Sequence, residues 1–225
     1  MKKMFRILSL YLISIFIFAG IPVLFSIYHL NEFFSSKSKL TYIISVLFLS
    51  IFSAIFIPYQ GNTSEQGLRN VKSHKASLHI LQILPCLIIV SSSFSYRFGL
   101  FSTCNSTLSG IIGNFLFVTG FSLMNYSAYI LGKQFNVNVT IIKDHQLIVN
   151  GPYSLIRHPR YLGIILTFTG IPLIFNTYLP LLFSLLILVV LLWRIHDEEI
   201  LLEKTFAEQW KVYRNNSKKL IPFIW

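Results

Sequence analysis

The stretch Tyr161-Leu-Gly-Ile-Ile-Leu-Thr-Phe-Thr-Gly-Ile-Pro-Leu-Ile-Phe-Asn-Thr-Tyr-Leu-Pro-Leu-Leu-Phe-Ser-Leu-Leu-Ile-Leu-Val-Val-Leu-Leu-Trp193 contains no charged residue and is interrupted only by Asn176-Thr177. It reads as two apolar helices joined by a tight turn, with Pro172 and Pro180 bending the hairpin near that turn. Each arm has about fifteen residues and covers about 22 Å of a ~30 Å hydrocarbon core. Polar sequence flanks both ends. Gly151-Pro-Tyr-Ser-Leu-Ile-Arg-His-Pro-Arg160 precedes the hairpin and Arg194-Ile-His-Asp-Glu-Glu199 follows it. Ionisable groups beside a bilayer are costly to place, so two such clusters closing one hairpin mark a functional site.

The rest of the chain shares this apolar character. Of 225 residues, 54% are hydrophobic and only 12% charged, with 21 Phe. A soluble domain carries roughly twice that charged fraction. The fold class read from this is all-α: a polytopic membrane helical bundle of about six transmembrane helices, with a tight C-terminal hairpin and a cytosolic C-terminal helix. Besides Tyr161–Phe175 and Tyr178–Trp193, the apolar segments are Ile7–Tyr28, Leu40–Ile57, Leu78–Tyr96 and Leu108–Leu131. These four reach or approach the ~20 residues a spanning helix needs. The first follows Met1-Lys-Lys, and its length and the lack of a small-x-small cleavage site favour a retained helix over a signal peptide. Residues 1–131 then carry four helices, and 132–225 carry a loop, the hairpin and the terminal helix, in one integrated membrane domain.

Charge sets the orientation. With the N-terminus cytosolic, only Lys37, Lys39 and Arg97 of the 19 basic residues fall in outer loops, as the positive-inside rule requires. Both polar clusters then face the cytosol, in a bacterial inner membrane or the endoplasmic reticulum. The net charge of +11 is spread singly beside apolar segments and does not make the solvated basic surface that nucleic-acid binding needs. Cys86 and Cys104 lie in no CxxC or Cys/His spacing, so no metal site or disulfide framework is read.

After the hairpin, Arg194, Glu198, Leu202, Phe206 and Trp210 recur at four-residue steps and share one helical face. Its membrane-proximal end presents a cation and a carboxylate one turn apart. On the other side, Gly151-Pro152 is a turn signal, and Pro159 suits the first position of a helix. Open amides at that helix start favour an anion. Tyr153 and Tyr161 add aromatic faces suited to a planar base or a sulfonium.

The run His145-Gln-Leu-Ile-Val-Asn-Gly-Pro-Tyr-Ser-Leu-Ile-Arg-His-Pro-Arg-Tyr-Leu-Gly163, continued by Asp197-Glu-Glu-Ile-Leu-Leu-Glu-Lys-Thr-Phe206, Trp210, Tyr213 and Lys219-Leu-Ile-Pro222, resembles the signature of isoprenylcysteine carboxyl methyltransferases. The likeness covers about the last two-fifths of the chain. It implies an integral membrane enzyme that uses S-adenosylmethionine (SAM) without a Rossmann domain. By matching position, His145, Gln146, Leu147 and Ile148 would line the cofactor. So would Tyr153, His158, Pro159, Arg160, Tyr161 and Glu198, with Asn138 a further polar contact. Arg194 would hold the substrate carboxylate, which makes Arg194 and Glu198 the implied catalytic pair. A lipidic or prenylated substrate would enter from the bilayer. Two departures stand out: the family's Phe-Gly-x-x-Tyr reads Phe206-Ala-Glu-Gln-Trp210, and an Arg near the closing Pro is Lys219, which lacks the planar fork.

Three other readings stay open at this level. A lipid-amine N-methyltransferase shares the motif and would need a base such as His196 or Glu199. A sterol-type reductase and a lipid-binding protein with a decayed site are the others.

Overall fold

The computed structural model describes residues 9, 11–56, 73–102, 106–132, 135, 146–222 and 224. Among them the regular elements are all helical, with isolated bridges only at Ser102–Thr177 and Ile156–Lys218. We number the helices α1 (Tyr11–Phe25) and α2 (Ile27–Ser35), α3 (Lys37–Phe56), α4 (Ser73–Phe98), α5 (Thr107–Leu131), α6 (Pro159–Ile174) and α7 (Leu179–Asn216).

Helices α3, α4, α5 and α7 are long and apolar enough to cross a membrane, while α6 is a shorter apolar helix of 16 residues. The first apolar segment, read from the sequence as one helix, is bent: α1 and α2 meet at 62°. A π-turn at Phe16–Gly20 and Pro22 precede the bend. Proline has no N–H, so the carbonyl four residues earlier, on Phe18, loses its helical donor. The Tyr42 hydroxyl of α3 donates to that carbonyl at 2.7 Å. The described residues thus show four helices long enough to span, or five if the bent pair is one, plus the short α6.

The hairpin repeats the same logic. Pro172 sits inside α6 and releases the carbonyl of Phe168, which takes a 2.7 Å hydrogen bond from the Ser184 hydroxyl of α7. Asn176 turns the chain with a left-handed φ of 54°, a conformation Asn tolerates better than most residues. Pro180, expected to bend the hairpin, instead occupies the first turn of α7. Its missing N–H would have been unpaired there anyway.

Helices α5 and α6 form the closest pair. A Cβ on Gly120 would lie 2.7 Å from the Gly163 carbonyl oxygen, and one on Gly163 would lie 2.6 Å from that of Gly120. One helical stretch further on, Gly113 and Gly170 clash reciprocally in the same way, at 2.7 and 2.5 Å. Where both surroundings and side chains are apolar, helices associate by close packing, and glycine lets two backbones touch. This contact fixes the height and rotation of α6, whose first turn carries the polar cluster. The core beside it is aromatic and aliphatic, with Phe117, Phe168, Ile171, Ile174, Ile187 and Leu191 buried.

Gly163→Val should therefore lower the melting temperature of the detergent-solubilised protein, at a cost of about 2 kcal/mol or more. A variant that melts with the wild type would show that the two backbones do not meet here.

Candidate active site

The chain reaches the site through a 3-10 turn at Gly151–Ser154. It then runs beside the C-terminal segment: Lys218 N–H donates to the Leu155 carbonyl, Arg157 N–H to Lys218 and His158 N–H to Lys219, at 3.0, 2.7 and 3.1 Å. His158 caps α6, which opens at Pro159. Opposite, α7 runs unbroken from Leu179 to Phe206, before a kink at Ala207, a length of about 42 Å that exceeds a ~30 Å membrane core. Its apolar part ends near Trp193, and Arg194 to Glu199 emerge as its polar continuation.

Tyr161 is where the two clusters meet. Its hydroxyl donates to Glu198 Oε2 at 2.7 Å and accepts from Arg194 Nε at 2.9 Å. The ring stacks on the His158 imidazole, 5.6 Å between centroids and 9° between planes. Arg194 is only 4% exposed, and its Nη1 also donates to the Ser77 hydroxyl of α4 at 3.4 Å. A cation, a phenol and a carboxylate thus form one hydrogen-bonded chain at the end of the apolar span. Charge-assisted hydrogen bonds of this kind are the strong ones.

Glu199, the next residue, faces other partners. Its Oε1 accepts from Arg157 Nε at 2.9 Å and lies 3.3 Å from His158 Nε2, and its Oε2 lies 3.3 Å from Lys219 Nζ. Arg157 also donates through Nη1 to the carbonyls of Ser217 and Arg214, at 2.5 and 3.1 Å. Burial alone pushes the Glu199 carboxyl up, but hydrogen bonds from His158 and Arg157 outweigh it and hold the group down at about 2. Burial, followed by the negative charge of Glu198, pushes the Tyr153 phenol well above its usual range, so that hydroxyl stays neutral.

Of the residues singled out in the sequence, Tyr153, His158, Pro159, Arg160, Tyr161, Arg194 and Glu198 lie on the facing elements around this chain of bonds. Tyr153 is buried and its carbonyl accepts from the Tyr213 hydroxyl at 2.8 Å. Arg160 lies over the Phe135 ring at 4.6 Å, and its Nε is buried without a hydrogen-bond partner among the described residues. Gln146 is exposed and Ile148 half-buried. Leu147 lines an adjacent groove of about 530 Å³ with Val149, Ser154, Gln209, Val212, Tyr213 and Asn216. Tyr161, Arg194 and Glu198 are not part of that lining. His145 and Asn138 lie outside the described residues.

Two expectations need correction. The start of α6 offers fewer open amides than read from sequence, because Pro159 has none and Tyr161 N–H bonds to the His158 carbonyl at 3.1 Å. The four-residue register from Arg194 does not continue to Trp210. Ala207, at φ 42° and ψ −109°, breaks the helix, and Trp210 is buried with the Arg157 guanidinium 5.9 Å from its ring. Ala207 stands where the family pattern has Gly, the residue best suited to positive φ. Sequence reading missed Ser77, which no motif marks. It also missed the Arg157–Glu199–Lys219 cluster, although the doubled Glu198-Glu199 was a usable signal: adjacent helical residues point about 100° apart and must serve different partners.

An all-helical membrane protein with a buried cation–phenol–carboxylate site at one end of its bundle is the class that fold and site define. Residues 112–204 match the Isoprenylcysteine carboxyl methyltransferase (ICMT) family. The protein-S-isoprenylcysteine O-methyltransferase of Saccharomyces cerevisiae is 32% identical over 181 residues, 76% of this chain and 72% of its own. That of Schizosaccharomyces pombe is 34% identical over 83 residues, 36% of this chain and 35% of its own. A solved structure of the eukaryotic intramembrane Ras methyltransferase ICMT aligns with 96% of this chain and 86% of its own, at 18% identity and a TM-score of 0.47. The chain belongs to the isoprenylcysteine carboxyl methyltransferase family and is a membrane methyltransferase.

Because Glu199 sits below its ordinary value of 4.5 in the folded protein, it contributes stability that is complete above about 4.5 and is lost as pH falls through about 2. Between about pH 5 and pH 3, wild-type melting temperature should fall more steeply than that of Glu199→Gln. An equal or steeper slope in the variant would contradict the pairing.

Proposed function

We propose that this chain transfers the methyl group of SAM to the carboxylate of an isoprenylcysteine or similar lipid-borne acid at a site facing the cytosol. The observation that carries the reading is the buried Arg194–Tyr161–Glu198 chain. It sets a guanidinium, the natural bidentate partner of a carboxylate, beside groups suited to the donor. The names of the yeast relatives favour isoprenylcysteine as the acceptor.

The residues present fit SAM. Arg160 Nε is a buried donor lacking a partner among the described residues, which a carboxylate would satisfy. Tyr153 and Tyr161 offer aromatic faces, and Glu198 supplies a carboxylate for a polar or cationic part of the cofactor. His158, Pro159, Gln146, Leu147 and Ile148 would complete the lining, with His145 before them. Bound there, the cofactor supplies an electrophilic methyl group on a sulfonium. A carboxylate acceptor is already a nucleophile, so the protein needs no general base. Its work is to align reactants and exclude water. Arg194 orients the acceptor, Tyr161 holds Arg194 in place, and the apolar helices keep the site dry.

An amine acceptor would require a base, and neither candidate suits it. Against the effect of burial, hydrogen bonds from His158 and Arg157 hold Glu199 ionised at about 2, and His196 is exposed.

The test is incubation of purified protein with methyl-labelled SAM and farnesylated cysteine analogues, scored for alkali-labile methyl ester. Arg194→Ala should raise the acceptor KM about tenfold or more, the loss of a hydrogen-bonded charged contact, with SAM affinity near normal. Glu198→Gln should weaken SAM affinity measured by calorimetry. Loss of SAM binding in Arg194→Ala would move that residue to the cofactor, and alkali-stable product would overturn the carboxylate reading.

A further inference from the structure

We infer that the C-terminal segment 217–220 is a strap that positions the His158–Tyr161 side of the site, with Glu199 and Lys219 as the positioning residues that fasten it. The inference deepens the proposed function and rests on it for what the strap serves.

Three layers of contact support it. The backbone of Lys218 and Lys219 accepts the Arg157 and His158 amides, and Lys218 N–H returns a bond to Leu155. The Arg157 side chain reaches across to the carbonyls of Arg214 and Ser217. Glu199 then ties the ends together, one oxygen on Arg157 and His158 and the other on Lys219. Its carboxylate thus touches both the loop before α6 and the strap.

The consequence falls on His158. Its amide is held by the strap and its ring by Glu199 on one side and the Tyr161 ring on the other. Tyr161 in turn bridges Arg194 and Glu198. The adjacent glutamates therefore divide the work. Glu198 faces the site through Tyr161, and Glu199 faces the scaffold. Lys219 is the outermost link, its side chain 28% exposed against 12% for Glu199. It can be altered without opening the core.

The experiment uses the full-length protein in detergent and compares wild type, Lys219→Met and Lys219→Arg. Calorimetric SAM affinity should fall about fivefold in the Met variant, the scale of a partly exposed ion pair. It should recover in the Arg variant, with melting temperatures close to wild type throughout. Hydrogen exchange at the Arg157 and His158 amides should quicken in Lys219→Met and return to wild-type rates in Lys219→Arg, with no cofactor present. Unchanged affinity in the Met variant, or no recovery with Arg, would overturn the positioning role. Unchanged exchange at residues 157 and 158 would overturn the strap itself. A wild type that binds no SAM would instead overturn the functional reading, and the exchange rates would still decide the strap.

Discussion

A guanidinium buried at the end of an apolar helix must be paired, and the pairing of Arg194 organises everything around it. Its partners come from two other helices: the Tyr161 hydroxyl of α6 and the Ser77 hydroxyl of α4. Leaving one side of such a contact unsatisfied would cost several kcal/mol. The three helices are thus committed to one relative position. The same hydroxyl of Tyr161 reaches Glu198, so the demand of one buried charge also fixes the neighbouring carboxylate. The site is a consequence of satisfying Arg194.

The rest of the fold makes that geometry attainable. Reciprocal glycine contacts set α6 against α5 at backbone distance. Two prolines release carbonyls inside helices, and each is answered from a neighbour, Phe18 by Tyr42 and Phe168 by Ser184. In a bilayer no water can take these roles, so a proline kink doubles as an attachment point between helices. Below the membrane face, Glu199 and the C-terminal segment hold the loop that begins α6. Pure packing would leave that loop to solvent.

Much of this was legible in the sequence and some was not. Hydropathy alone gave the all-helical membrane class, because an apolar run of twenty residues has few other uses. The spacing of Arg194 and Glu198, and the turn and proline before Tyr161, pointed to two facing clusters, and the structure brings them together through one hydroxyl. The bend between α1 and α2 was hidden, since Pro22 lies inside an unbroken apolar run and its effect depends on Tyr42, twenty residues away. Ser77 was hidden for a similar reason: a single serine in a helix carries no pattern until its partner is known. The glycines of α5 and α6 did carry a pattern, a seven-residue spacing repeated in both helices, that a search for small residues at helix interfaces would have found. Trp210 shows the limit of periodicity, because the break at Ala207 is a backbone event that a four-residue count passes over.

The Tyr161 hydroxyl is the link between acceptor-holding and donor-holding groups. Steady-state kinetics of Tyr161→Phe test it most directly, since the ring that stacks on His158 is kept and only the oxygen is removed. Loss of a hydrogen bond to two charged groups, about 1.5–3 kcal/mol, should reduce kcat/KM for carboxyl methylation roughly 10- to 100-fold. The KM should rise for both substrates, and the melting temperature should fall because the buried Arg194 loses one of its partners. A phenylalanine variant that methylates a farnesylated cysteine analogue as well as the wild type would contradict it.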